Sequence, residues 1–211
     1  MMIKTIKVGE LRTNCYIVAS DKTREAIIID PGDEGEKIIR EIEKYGLRPL
    51  LIVNTHIHPD HVCANETLIE KFGIHAAAGQ SEQELTEKWG SHFKYFSMLD
   101  IRTLGIKRLL SDGDTVSAGD LEFRVIKTPG HAESSICLYS GPSNEQGSGI
   151  LFSGDTLFAG DHGRTDLPGA SQEDMEISLS RLMELPENTK VYPGHGNTTT
   201  IKQEKGIYAA G

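Results

Sequence analysis

Apolar and polar residues alternate from the first position. The opening run Met1-Met2-Ile3-Lys4-Thr5-Ile6-Lys7 has the two-residue period of a half-buried strand, not the unbroken apolar stretch of a signal peptide. Asn14 to Ala19 and Ala26 to Ile29 predict two more strands, separated by the polar turn Ser20-Asp21-Lys22. Within Glu34 to Tyr45, Ile38, Ile39, Ile42 and Tyr45 fall at helical spacing, and Gly46 is a natural stop. Leu50-Leu51-Ile52-Val53, bounded by Pro49 and Asn54, reads as a buried strand feeding a loop. A helix is expected from Val62 to Phe72, with Asp60 placed to cap it.

The stretch from Gly79 to Asp100 is irregular. It predicts a short acidic helix, Ser81 to Lys88, then Trp89 and the aromatics Phe93, Tyr95 and Phe96, which fit either core or a lid over a cleft. Periodicity returns at Leu121 to Lys127, where Leu121, Phe123 and Val125 alternate with Glu122, Arg124 and Ile126. Ser134 to Tyr139 and Ile150 to Ser153 predict strands around an exposed hairpin loop, Gly141-Pro142-Ser143-Asn144-Glu145-Gln146-Gly147. Ser171 and Asp174 mark the start of a helix running to about Leu185, stopped by Pro186, and Thr189 to Tyr192 is the last expected strand.

The chemistry concentrates where the Leu50–Val53 strand ends. His56-Ile57-His58-Pro59-Asp60-His61 packs three imidazoles and a carboxylate into one turn. Neutral imidazole is the commonest protein metal ligand, and two histidines two residues apart on an extended segment point the same way. Three later phrases add to this set: Thr128-Pro129-Gly130-His131, Ser153-Gly154-Asp155-Thr156 and Tyr192-Pro193-Gly194-His195. Each candidate ligand follows a glycine, which permits a sharp turn and close backbone approach. Both halves thus repeat a strand-then-ligand-loop plan, the pattern of a duplicated unit.

In this order, together with Asn14-Cys15-Tyr16-Ile17-Val18 and Ile29-Asp30-Pro31-Gly32, these phrases resemble the metallo-β-lactamase superfamily over nearly the whole chain. The resemblance implies an α/β fold, a four-layer αββα sandwich of two facing mixed β-sheets flanked by helices. It also implies a ligand set for two divalent metal ions, zinc first, with iron and manganese accepting the same donors. His56, His58 and His131 would hold one metal, and Asp60, His61 and His195 the second. Asp155 would bridge them, and the hydroxide shared by the metals would be the nucleophile. Asp60 and Asp155 are the candidate catalytic carboxylates. Asp30 is either an acceptor for a ligand histidine's other N–H or a simple turn aspartate before Pro31-Gly32.

Within the superfamily, Leu157-Phe158 and Gly163-Arg164-Thr165-Asp166-Leu167-Pro168-Gly169 are most similar to small glyoxalase II-like hydrolases, which implies thioester hydrolysis of a small molecule. Arg164 and Asn197 are the candidate substrate contacts. Arg164 could grip a carboxylate bidentately, or order its loop by pairing with Asp161 or Asp166. Two departures weigh against glutathione as carrier: Asn197 and Asp166 stand where that branch has tyrosines. A third is the expectation of a single domain over 1–211 without the C-terminal helical domain that helps bind glutathione. His75, His92 and His162 fit no ligand slot.

Three other functions compete. A mononuclear iron persulfide dioxygenase also carries Gly-Arg-Thr-Asp, as at Gly163–Asp166, and needs only two histidines and an aspartate. A lactonase is disfavoured by Phe158, where that branch has tyrosine. A non-catalytic metal-binding module has no need for seven ligands. Composition narrows the setting. A net charge of −9 disfavours nucleic acid, and no apolar run approaches a membrane span. Three scattered cysteines fit reduced, buried thiols in a cytoplasm.

Overall fold

These periodicities resolve into two six-stranded sheets in a computed structural model that describes residues 1–79, 104–142 and 148–208. Contacts divide the chain into two compact units, Met1–Leu110 with Val116–Glu122, and Ser111–Thr115 with Phe123–Gly211.

The first sheet begins as an antiparallel meander, β1 (Met2–Val8), β2 (Thr13–Ala19) and β3 (Glu25–Ile29), in which Ile6 pairs with Cys15 and Ile17 with Ile28. It continues with three parallel neighbours, β4 (Arg48–Asn54), β5 (Ala76–Gly79) and β6 (Ile106–Leu110). Parallel pairing needs a crossover, and α1 (Gly35–Lys44) provides it between β3 and β4. Pro49 lies inside β4, not before it. Lacking an N–H, it cannot complete the ladder, and the register shifts there, between Ala26 and Ile27. From Leu51 to Val53 the strand is buried at every position, which is why it reads as a continuous apolar run. Ile38, Ile39 and Ile42 of α1 pack with Ile17, Ile28, Ile52 and Leu68 in the core of this unit.

The second sheet has the order β12-β11-β10-β9-β8-β7, from β7 (Thr115–Ala118), β8 (Leu121–Lys127), β9 (Ile136–Ser140), β10 (Ile150–Gly154), β11 (Lys190–Pro193) and β12 (Thr199–Thr200). The alternation read in β8 is observed as far as Val125, with Leu121, Phe123 and Val125 buried and Glu122 and Arg124 exposed, and it ends at Ile126, which is buried as well. Ser171 caps α4 (Gln172–Met183), its side chain accepting from the Asp174 N–H at 3.2 Å. Met175, Leu179 and Leu182 of that helix pack with Ile126, Cys137, Leu151 and Val191, and Ile201 joins them from α5 (Ile201–Tyr208).

Three expectations need correction. The helix expected over Val62 to Phe72 is two pieces, α2 (Pro59–Val62) and α3 (Asn65–Phe72). Asp60 caps neither. It lies in the first turn of α2, because Pro59, with its fixed φ and no N–H, takes the first helical position. Cys15 and Cys137 are buried, as expected of structural thiols, but Cys63 is exposed. The predicted helix over Ser81 to Lys88, His92, the aromatics from Trp89 to Phe96 and most of the Gly141–Gly147 loop lie outside the described residues. Among the described residues, no helix is long and apolar enough to cross a membrane.

Burial separates two isoleucines that sequence alone treats alike. Ile42 is fully buried on α1, whereas Ile177 of α4 is 55% exposed. Ile42→Ala should destabilise by about 2–5 kcal/mol, and Ile177→Ala by less than about 0.5 kcal/mol. Denaturant unfolding of the two variants measures both, and equal losses would contradict this packing.

Candidate metal centre

Four of the seven candidate ligands belong to the first unit and follow β4 directly. His58 precedes Pro59, which excludes it from helical backbone, and it adopts φ −60°, ψ 146°. His56 and His58 therefore lie on an extended segment, and α2 then carries Asp60 and His61 back over it. The rings of His56 and His61 come within 4.2 Å, centroid to centroid. His56 Nε2 and His58 Nδ1 are 3.0 Å apart. Two nitrogens on one tetrahedral zinc, each at about 2.0–2.1 Å, stand roughly 3.3 Å apart, so this pair has the spacing of ligands to a shared ion. The donor set and its geometry fit a metal.

The partners behind these candidate ligands orient them. Asp30, directly after β3, is buried, and its Oδ2 lies 3.1 Å from His61 Nδ1, a contact that makes His61 Nε2 the candidate ligand atom. That Nε2 is 3.4 Å from Asp60 Oδ2, and the same oxygen accepts the Thr13 hydroxyl at 2.9 Å. Asn54 and Asn65 exchange amide hydrogen bonds of 3.3 and 2.8 Å, and Asn54 Nδ2 also donates to the His61 carbonyl at 3.1 Å. Sequence reasoning missed Thr13, Asn54, Thr55 and Asn65. Asn54 read only as the end of a strand, and the others sit within apolar or ligand runs with no spacing signal of their own.

The other three candidates belong to the second unit, and each leaves a strand or loop beside a glycine. Gly130 and Gly154 have φ of +144° and +50°, so the turn requirement inferred for them holds; Gly194 instead donates its N–H to the Gly154 carbonyl at 2.7 Å. A Cβ at Gly130 would lie 2.6 Å from the Met175 Cα, where α4 closes on the loop. Asp155 Oδ2 lies 3.7 Å from His131 Nε2 and 3.6 Å from His195 Nε2, so one carboxylate oxygen stands within reach of both imidazoles. His131 Nδ1 meets the Arg164 carbonyl at 2.9 Å, which leaves Nε2 as its candidate ligand atom.

That carbonyl is how Arg164 reaches the centre. Its guanidinium binds Asp166 bidentately, at 2.9 Å from both Nε and Nη2, and the pair is exposed. The two bonds hold the Asp166 carboxyl below its usual range. This is the Asp166 pairing that a loop-ordering role calls for. Asn197 is exposed, and His162 turns its Nδ1 to the Gly163 carbonyl at 2.8 Å. Cys63 is exposed as a residue, but partial desolvation raises its thiol, with Asp33 and Asp60 adding to the rise, so it is poorly suited to act as a thiolate.

The family model for the metallo-β-lactamase superfamily matches residues 8–195, and the chain belongs to that superfamily. An uncharacterized protein of Aquifex aeolicus is 38% identical over 97% of this chain and 94% of its own length. Hydroxyacylglutathione hydrolase GloC of Haemophilus influenzae is 31% identical over 97% and 95%. Among solved structures, the BLEG-1 B3 metallo-beta-lactamase superposes with a TM-score of 0.83 at 32% identity, covering 97% of both chains. TTHA1623 in a di-iron-bound form gives 0.77 at 32% identity, covering 95% of this chain and 96% of its own. ETHE1 from Myxococcus xanthus gives 0.77 at 27% identity, covering 97% and 82%. The α/β fold expected from the sequence resemblance is the fold observed.

Two glycines test how the ligand loops are seated. A Cβ at Gly32 would fall 1.5 Å from the Asp60 carbonyl oxygen, and one at Gly163 would fall 1.9 Å from the Asp155 carbonyl oxygen and 3.0 Å from His131 Cγ. Gly32→Ala and Gly163→Ala should each destabilise by about 1–3 kcal/mol or more and lower the metal content of the purified protein. Wild-type thermal stability with full metal content in either variant would contradict these close approaches.

Proposed function

We propose that the chain is a metal-dependent hydrolase of small-molecule thioesters, with one catalytic domain over 1–211. The observation that carries this reading is the likeness to GloC over 97% of the chain, in a sequence that keeps every candidate ligand. His56, His58 and His131 would hold one metal, Asp60, His61 and His195 would hold the other, and Asp155 would serve both. Zinc suits these donors, and the likeness to TTHA1623 in its di-iron form makes iron an equal candidate. When bound, such metals supply Lewis acidity and lower the pKa of coordinated water towards about 7.

The chain's own residues do the rest. Asp30 and the Arg164 carbonyl set the rings of His61 and His131, so little reorganisation accompanies the reaction. The Thr13 hydroxyl steadies Asp60. Two divalent ions against the charges of Asp60 and Asp155 leave a positive centre in a protein of net charge −9, suited to a thioester oxygen that gains negative charge. A cysteine nucleophile has no support: Cys15 and Cys137 are buried, and burial, then the charge of Asp30, pushes the Cys15 thiol far up. The acidic charge argues against a nucleic-acid substrate, and three free cysteines suit a reducing cytoplasm.

With Arg164 bound to Asp166 and Asn197 in place of a phenol, glutathione finds few fixed partners. Each lost hydrogen bond costs about 0.5–3 kcal/mol. S-lactoylglutathione should therefore turn over with a high KM, and nonglutathione thioesters should compete; a micromolar KM would contradict the substrate argument. Chelation should abolish hydrolysis, and Asp155→Ala should lower kcat/KM by about 10³-fold or more, while Cys63→Ala stays within about twofold. An active Asp155→Ala variant would remove the bridging role. The Gly163–Asp166 run favours one second reading, the mononuclear iron persulfide dioxygenase. Oxygen uptake with glutathione persulfide, alongside the thioester assay, decides between them.

A further inference from the structure

Behind the first two histidines runs a chain of hydrogen bonds whose direction is set at one end. A carboxylate has no proton to give, so every bond to Asp30 runs towards it. Its Oδ1 accepts the Thr55 backbone N–H at 2.7 Å, and its Oδ2 accepts the Thr55 hydroxyl, also at 2.7 Å. A threonine hydroxyl carries a single proton. With that proton directed to Asp30, the 3.2 Å contact between Thr55 Oγ1 and His56 Nδ1 is a hydrogen bond in which the imidazole donates. A neutral His56 then has its proton on Nδ1 and a lone pair on Nε2. The next contact, 3.0 Å from His56 Nε2 to His58 Nδ1, takes its proton from His58. The order His58 to His56 to Thr55 to Asp30 has one polarity. Asp30, Thr55 and His56 are buried, so water does not compete for it.

We propose that Thr55 is a positioning residue for the metal centre: it carries the polarity of Asp30 to His56 and holds that ring as the Nδ1–H tautomer, with the Nε2 lone pair aimed at the metal position. Metal uptake then asks nothing of His56. The consequence for metal binding rests on the metal-centre reading above, whereas the tautomer of His56 does not.

The test uses the full-length chain with ¹⁵N-labelled histidine, stripped by a chelator and held at pH 8, about 1.5 units above the ordinary imidazole pKa. Long-range ¹H–¹⁵N correlation should show His56 protonated at Nδ1 and bare at Nε2 in the wild type. Thr55→Ser should preserve that pattern. Thr55→Val, which keeps the shape without the hydroxyl, should give mixed tautomers and weaken zinc binding by about 10–100-fold. Should Thr55→Val fail to fold by circular dichroism, Thr55→Ala makes the same comparison. A wild-type His56 protonated at Nε2 would overturn the proposal. So would equal zinc affinity in the wild type and the hydroxyl-free variant, or equal loss in the serine and hydroxyl-free variants. The tautomer is read without substrate: the expected tautomers in a protein inactive on thioesters would sink only the proposed reaction, and an active thioesterase with the opposite tautomer would sink only this inference.

Discussion

A carboxylate sealed in the first unit is the constraint on which the ligand loop depends. Asp30 is 1% exposed and sits at φ +50°, a left-handed conformation uncommon for a residue with a side chain. It is held there because its N–H donates to the Val53 carbonyl and both carboxylate oxygens are engaged by Thr55. A buried charge costs far more than one hydrogen bond returns unless all its partners are in place. The Asp30 loop, the end of β4 and the histidine turn therefore form as a set. Gly32 lets the next turn press against the Asp60 carbonyl, so the chain leaving Asp30 also seats α2.

The second unit reaches the same end by different means. Behind His131 stands a backbone carbonyl, and that carbonyl belongs to the loop in which Arg164 and Asp166 pair. The pair is exposed, and such pairs contribute little to stability. Its effect is local order at the residue whose carbonyl meets the imidazole. Gly163, pressed on the Asp155 backbone and the His131 ring, is the matching close approach.

Much of this was legible in the sequence because it obeys local rules. The alternation of β8, the Ser171 cap and the isoleucine stripe of α1 are each decided by burial or hydrogen bonding within a few residues. The ligand types were legible because histidine and aspartate cluster after apolar runs. Elements set by distant partners were not. Ala76–Gly79 carries no alternation and is a strand because β4 and β6 flank it in parallel. The break between α2 and α3 arises where the Ala64 N–H donates to the Pro31 carbonyl, thirty-odd residues earlier in the chain, a contact no periodicity announces. Thr13, Thr55 and Asn65 are ordinary residues whose roles exist only through long-range hydrogen bonds.

The central proposal is that seven side chains serve one pair of metals. Anomalous diffraction from crystals of the metal-replete protein tests it most directly. The account predicts two peaks per chain, about 3.5–4 Å apart, with Asp155 between them and Asp60, His61 and His195 around the second. A single peak at full occupancy, with Asp60 and His61 turned away from it, would contradict the paired centre.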